Sequence, residues 1–130
     1  MKKSSRSKVN LVYRQELYER ILQRAPDFPE VCQQLGQLYA RQGRYLDCLR
    51  IDQNWRRARP QDPLAYYNLA CDYALLHDPD MSLACLEIAF LLGYRDRRQL
   101  EKDPELENVR GHPRFRILLR RYFPQPNRRR

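Results

Sequence analysis

The sequence predicts an all-α fold, an α-α superhelix of stacked helix-turn-helix units, and three observations carry that expectation. Laid over itself at the offset that brings Pro26 onto Pro60, the chain also matches Pro29 with Pro63, Leu35 with Leu69 and Tyr39 with Tyr73, and pairs small residues at Gly36/Ala70 and Ala40/Ala74. Repetition at one fixed period of this size marks stacked supersecondary units. Within each period the apolar residues recur at i, i+3, i+4 and i+7, the stripe of an amphipathic helix. Glycine is scarce, at 4 of 130 residues, so the tight turns of an all-β chain are missing.

The elements follow in order. Leu11 to Arg24 places Leu17, Tyr18, Ile21 and Leu22 at helical spacing ahead of Pro26, which predicts a leading helix over 11–25, the second helix of an incomplete first unit. Val31 to Gln42 carries Cys32, Leu35, Gly36 and Tyr39 on one stripe before Gly43 breaks it. Tyr45 to Ala58 resumes with Tyr45, Cys48, Leu49 and Trp55 until Pro60. The second unit repeats the scheme: Tyr66, Leu69, Ala70 and Tyr73, a turn at His77-Asp78-Pro79-Asp80, then Leu83, Leu86, Ala89 and Phe90, with Gly93 as a left-handed stop. Asp103-Pro104-Glu105 reads as a capped helix start, with Leu106 and Val109 on one side before Gly111. His112-Pro113 opens a last helix with Phe115, Leu118, Leu119 and Tyr122 on its apolar stripe.

These residues resemble the tetratricopeptide repeat, a helix-turn-helix unit of about 34 residues. The match is Cys32, Leu35-Gly36, Tyr39, Gly43, Tyr45 and Pro60, then again Tyr66, Leu69-Ala70, Tyr73, Ser82 and Ala89. It departs from the family at Trp55, where a small alanine is usual, at Asp52, where an aromatic is usual, and at Tyr94, where a closing proline is expected. The resemblance implies repeats at 29–62 and 63–94 and a helical cap over 95–123. That cap is similar to the short closing segment found after many bacterial arrays. It is needed because the last repeat would otherwise leave Leu83, Leu86 and Phe90 wet. A length of 130 residues allows one domain, expected over 10–123, between a disordered basic tail at 1–9 and a disordered Arg-rich tail at 124–130.

Charge is unevenly placed. The net charge is +9, but residues 1–8 carry +4 and residues 116–130 carry +6, so the body between them is close to neutral at −1. Solvated tails account for this pattern, and so does a weak electrostatic hook for RNA, DNA or an acidic surface. No window reaches 18 uncharged apolar residues, so no membrane partner is expected. The basic start, Met1 to Lys8, is followed only by Val9 to Tyr13 before Arg14, too little for a secretory signal, and a cytoplasmic protein is expected.

Catalytic signatures are missing: there is no Gly-rich phosphate loop, no Gly-x-Ser-x-Gly and no His-Glu-x-x-His. Neither an enzyme nor a cofactor is expected. Cys32, Cys48, Cys71 and Cys85 stand far apart along the chain, which is not a zinc pattern, and His77 and His112 do not complete one. No metal is expected, and the thiols read as free and buried. Asp78 and Asp80 read as capping groups of the following helix.

The surface left for function is the hollow face of the repeats, lined by the first helix of each unit. Just off the packing stripe stand Gln33, Gln34, Gln37 and Arg41 in the first repeat and Leu64, Tyr67, Asn68, Cys71 and Leu75 in the second. Amides, one aromatic, one cation and leucines suit a short peptide or helix of a partner protein, the work of a scaffold or adaptor. The competing outcome is a groove occupied by the chain's own closing segment or leading helix. A chaperone-tail clamp of the kind known in the family is disfavoured, because Gln33 and Gln37 stand where Lys and Asn are needed. The alternative function is nucleic-acid association through the basic C-terminal helix and tails.

Overall fold

The computed structural model describes residues 2–125, with side chains from Lys8 onward. Met1, the side chains of residues 2–7 and residues 126–130, all within the expected tails, lie outside the described residues. Among the described residues there are eight α-helices, one 3₁₀ turn and no strand. The chain is all-α, as expected. It groups into two compact units, the first running to Pro60 and the second beginning at Gln61. That boundary falls where one repeat period hands over to the next.

The first unit contains α1 (Lys2–Arg24), α2 (Pro29–Arg41) and α3 (Tyr45–Ala58). Helix α1 begins at Lys2, not near residue 11, so the segment expected as a tail is helical. The reason lies in composition: no proline or glycine interrupts the chain before Pro26, and Lys, Arg, Gln, Glu and Leu all favour helix. Helix α2 packs against both α1 and α3. Its core joins Leu35, Tyr39 and Cys48 with Tyr18, Leu22, Ala40 and Ile51. Trp55, the residue that departs from the family's alanine, is fully buried. The salt bridge Arg59–Asp27, at 2.9 Å, ties the end of α3 to the loop before α2.

The second unit contains α4 (Pro63–Leu75), α5 (Pro79–Leu91), α6 (Arg97–Lys102), a 3₁₀ turn (Pro104–Leu106), α7 (Glu107–Arg110) and α8 (Pro113–Tyr122). Helices α4 and α5 pair; the 3₁₀ turn and α7 pack on α4, and α7 and α8 pack on α5. Caps sit where the sequence places them. Asp78 accepts from the Met81 amide, Asp103 from the Glu105 amide and His112 Nδ1 from the Arg114 amide. Asp80 is not a cap; it lies in the first turn of α5. The closing segment does its expected work, because Leu83, Leu86 and Phe90 are buried and Tyr122 and Phe123 pack around Phe90 at 5.4 and 5.3 Å. Helix α6, opened by Asp96, is not legible in the sequence, because six residues are too few to display a period.

The period is visible in atomic detail. Helices α2 and α4 begin at Pro29 and Pro63, and α3 and α5 at Tyr45 and Pro79, each pair one full period apart. The Cys48 thiol donates to the Gly36 carbonyl at 3.3 Å, and the Ser82 hydroxyl donates to the Ala70 carbonyl at 2.7 Å. The amides of Arg44 and Asp78 donate to the carbonyls of Tyr39 and Tyr73 at 2.8 and 2.9 Å. Gly43 (φ 73°) and His77 (φ 59°) both take left-handed backbone in the interhelical turn. The two helix pairs are therefore locked by equivalent bonds.

Candidate functional site

The nine residues expected to line a groove divide between the units, and the structure treats the two sets differently. In the first unit Gln33, Gln34 and Gln37 lie on α2 with Arg41 a turn further on, while Leu35, Leu38 and Tyr39 between them are buried. Gln33, Gln34 and Arg41 are exposed and so is Gln37, as the stripe places them. In the second unit Leu64, Asn68 and Leu75 are half-buried, and Tyr67 and Cys71 are only 3% and 2% exposed. For those two the expectation of an open surface is corrected: the closing segment covers them.

The covering residue is Asp103. Its Oδ2 accepts from the Tyr67 hydroxyl at 2.7 Å and from Gln99 Nε2 at 3.0 Å, with the Cys71 thiol at 3.8 Å, while its Oδ1 takes the Glu105 amide at 3.0 Å. The Arg110 guanidinium donates to the Asp103 carbonyl. A buried carboxylate is tolerated when it is hydrogen-bonded, and Tyr67, Gln99 and the Glu105 amide bond both of its oxygens. The Tyr67 ring also stacks on Tyr94, with centroids 4.5 Å apart and planes 9° from parallel. Asn108 Nδ2 adds a bond to the Ala74 carbonyl at 3.0 Å. Burial, aided by the charges of Cys71 and Asp103, holds the Tyr67 phenol protonated far above its ordinary range.

Ligand atoms of Cys71, Asp103 and Glu105 all lie within 4.8 Å of one another. Burial and then the charge of Asp103 raise the Glu105 carboxyl above its usual value. The cluster works as the hydrogen-bonded seam between α4 and the closing segment, because both Asp103 oxygens already accept bonds from the chain. All four cysteines are buried thiols, and burial pushes the Cys32 thiol up to about 12. A thiol held protonated is a poor nucleophile.

A concave surface absent from the sequence-based expectation lies in the first unit, between α1 and α3. Two neighbouring hollows of about 450 and 500 Å³ share Leu22, Gln23 and Asn54 as lining. Leu22, Leu35 and Ile51 supply apolar lining; Glu19 and Gln23 stand on α1, and Arg50, Asn54 and Arg57 on α3. Asn54 Oδ1 accepts from Arg57 at 2.6 Å. The Tyr39 hydroxyl, donating to Glu19, is part of the lining. The sequence does hold a signal for it: Glu19/Gln23 and Arg50/Asn54/Arg57 recur at i, i+4 and i, i+4, i+7, each a polar row beside the apolar stripe. The repeat pattern directs attention to first helices, whereas these rows sit on the second ones.

Comparison with known proteins adds one relative. Over 90 residues the chain is 30% identical to a chloroplastic protein of Arabidopsis thaliana; the match covers 67% of this chain and 27% of that protein. The chain thus spans about a quarter of the length of the curated relative it matches. No family model matches the sequence, and no solved structure matches it.

Proposed function

We propose that this chain is a non-catalytic protein-interaction module, built from two tetratricopeptide-like helix pairs, that holds a short extended segment of a partner protein. The observation that carries the proposal is the pair of neighbouring hollows between α1 and α3, with apolar lining and an amide on each wall, Gln23 and Asn54, common to both. Amides on opposite walls suit the alternating N–H and C=O groups of an extended backbone, and the apolar lining suits a side chain. From Arg50 to Ala58 the two hollows follow α3 for about 12 Å at the usual helical rise. That length matches about four residues of extended chain. So small a contact gives modest affinity unless the partner presents several copies. The exposed row Gln33, Gln34, Gln37 and Arg41 on α2 is a further polar surface of the same unit.

The test is selection of peptides from a random displayed library on the purified full chain, followed by titration of synthetic versions. Recovered peptides should bind wild type and lose about tenfold or more with the Gln23→Ala/Asn54→Ala variant, the size expected for losing two interfacial hydrogen bonds. They should be indifferent to Gln33→Ala/Gln37→Ala. The reverse pattern would place docking on α2, and failure to enrich any peptide would overturn the proposal.

A further inference from the structure

We propose that the second unit carries a separate docking pocket for an acidic peptide segment with a large apolar side chain. The pocket, about 480 Å³, is lined by Arg97 of α6, by Arg116, Leu119 and Arg120 of α8, and by the Phe123–Gln125 segment that follows. Its volume is within the range of about 300–1,000 Å³ typical of ligand clefts. One wall is held in place by Arg97. That guanidinium pairs with Glu101 at 2.5 Å, donates to the Phe123 carbonyl at 3.2 Å, and meets the Gln125 amide oxygen at 2.8 and 2.9 Å once that amide is oriented to satisfy both groups.

Arg97 is therefore committed to structure, and Arg116 and Arg120 are not. Both line the pocket one helical turn apart on α8, and they form no ion pair among the described residues. Their neighbour Arg121 is already paired with Glu87 at 3.1 Å. Beyond Gln125 the sequence adds Arg128, Arg129 and Arg130. Two uncommitted guanidiniums beside Leu119, Phe123 and Pro124 ask for carboxylates next to an apolar side chain.

Two observations favour a peptide over a nucleic-acid strand. Bases are held by stacking on open aromatic faces, but the Phe123 ring is engaged by Phe90 at 5.3 Å and by the Arg95 guanidinium at 5.9 Å. A phosphate backbone also tracks an unbroken basic groove, whereas here Glu101 stands beside Arg97 and Glu87 beside Arg121.

The experiment is fluorescence anisotropy on the full chain with a labelled hexapeptide Glu-Asp-Leu-Phe-Glu-Asp. Its controls are a version with lysines at the acidic positions, a version with glycines replacing Leu-Phe, and a single-stranded oligothymidylate of matched charge. The acidic apolar peptide should bind best, and Arg116→Glu/Arg120→Glu should weaken it by about tenfold or more, as reversal of two contacting charges demands. Neither side chain is part of the buried core, so unchanged far-ultraviolet circular dichroism should accompany the loss. Binding that survives the double reversal, equal binding of the lysine or glycine versions, or tighter Arg-dependent binding of oligothymidylate would each overturn the proposal. Because this pocket belongs to the second unit, its failure leaves the groove of the first untouched.

Discussion

Tyr67 on α4 donates its hydroxyl proton to Asp103, 36 residues further on, and through that bond the closing segment is fastened over the second repeat. The acceptor is a carboxylate that is 9% exposed, and the donor is a ring that is 3% exposed. Together they decide that this face of α4 is interior.

Removing either partner should loosen the closing segment. Tyr67→Phe keeps the ring and its stacking on Tyr94 but deprives Asp103 of one donor, at a cost of about 1–3 kcal/mol. Asp103→Ala should cost more, because Tyr67 and Gln99 then lose their acceptor and the 3₁₀ turn loses its cap. Thermal unfolding followed by circular dichroism checks the order: wild type, Tyr67→Phe, Asp103→Ala. Equal melting temperatures for all three would contradict it.

Alkaline pH should destabilise the fold for a related reason. Burial, followed by a bond to Glu19, raises the Tyr39 phenol; burial likewise raises Tyr67, and it pushes Tyr94 up to about 12. In the unfolded chain these phenols ionise at about pH 10. The folded form therefore keeps protons that the unfolded form releases, so stability is full below that pH and falls as pH rises toward the folded values. Urea midpoints measured between neutral pH and pH of about 11 should decline only in the upper part of that range.

The two left-handed turn residues offer a matched pair of substitutions. His77 bears a side chain at φ 59°, whereas Gly43, in the equivalent turn, does not. Gly43→Ala meets no atom within 4 Å, so its cost is backbone strain alone, about 1 kcal/mol. His77→Gly relieves that strain and should raise stability by up to about 1 kcal/mol. Chemical denaturation of the two single variants should give shifts of opposite sign.

The interhelical bonds at Cys48 and Ser82 should tolerate exchange. Cys48→Ser places a hydroxyl where the other repeat already uses one toward a helix carbonyl, and Ser82→Cys does the converse. Each should change stability by no more than about 1 kcal/mol, the net worth of one hydrogen bond, because the helix carbonyl keeps a donor. Ser82→Val, which loses the donor and adds bulk at a fully buried site, should cost clearly more. Denaturant titration distinguishes the three.

What can be read from the sequence is whatever depends on neighbours a turn or a period away. Pro29 and Pro63, Tyr39 and Tyr73, and the caps at Asp103 and His112 all announce themselves locally, and α2 to α5 form close to where those residues place them. Position along α2 also suffices for Gln33, Gln34 and Gln37, which face water. Coverage by the closing segment stands in the sequence only as a competing outcome; which residues it buries, Tyr67 and Cys71, is not legible, because Asp103 and Gln99 are remote along the chain with no spacing to betray the pairing. The start of α1 escapes for the opposite reason. Its residues favour helix by propensity without an apolar stripe to announce it, and Val9, Val12 and Tyr13 stay exposed.

The handover after Pro60 has a consequence for how such a chain can grow. Each period carries its own crosslink between helices, Cys48 to Gly36 or Ser82 to Ala70, and its own left-handed residue at the bend. A duplicated segment spliced in after Pro60 would bring its own internal bonds, while its outer faces would still need covering as the closing segment covers Tyr67 and Phe90. Duplication of a whole period thus preserves these bonds, whereas trimming residues from inside one would sever them.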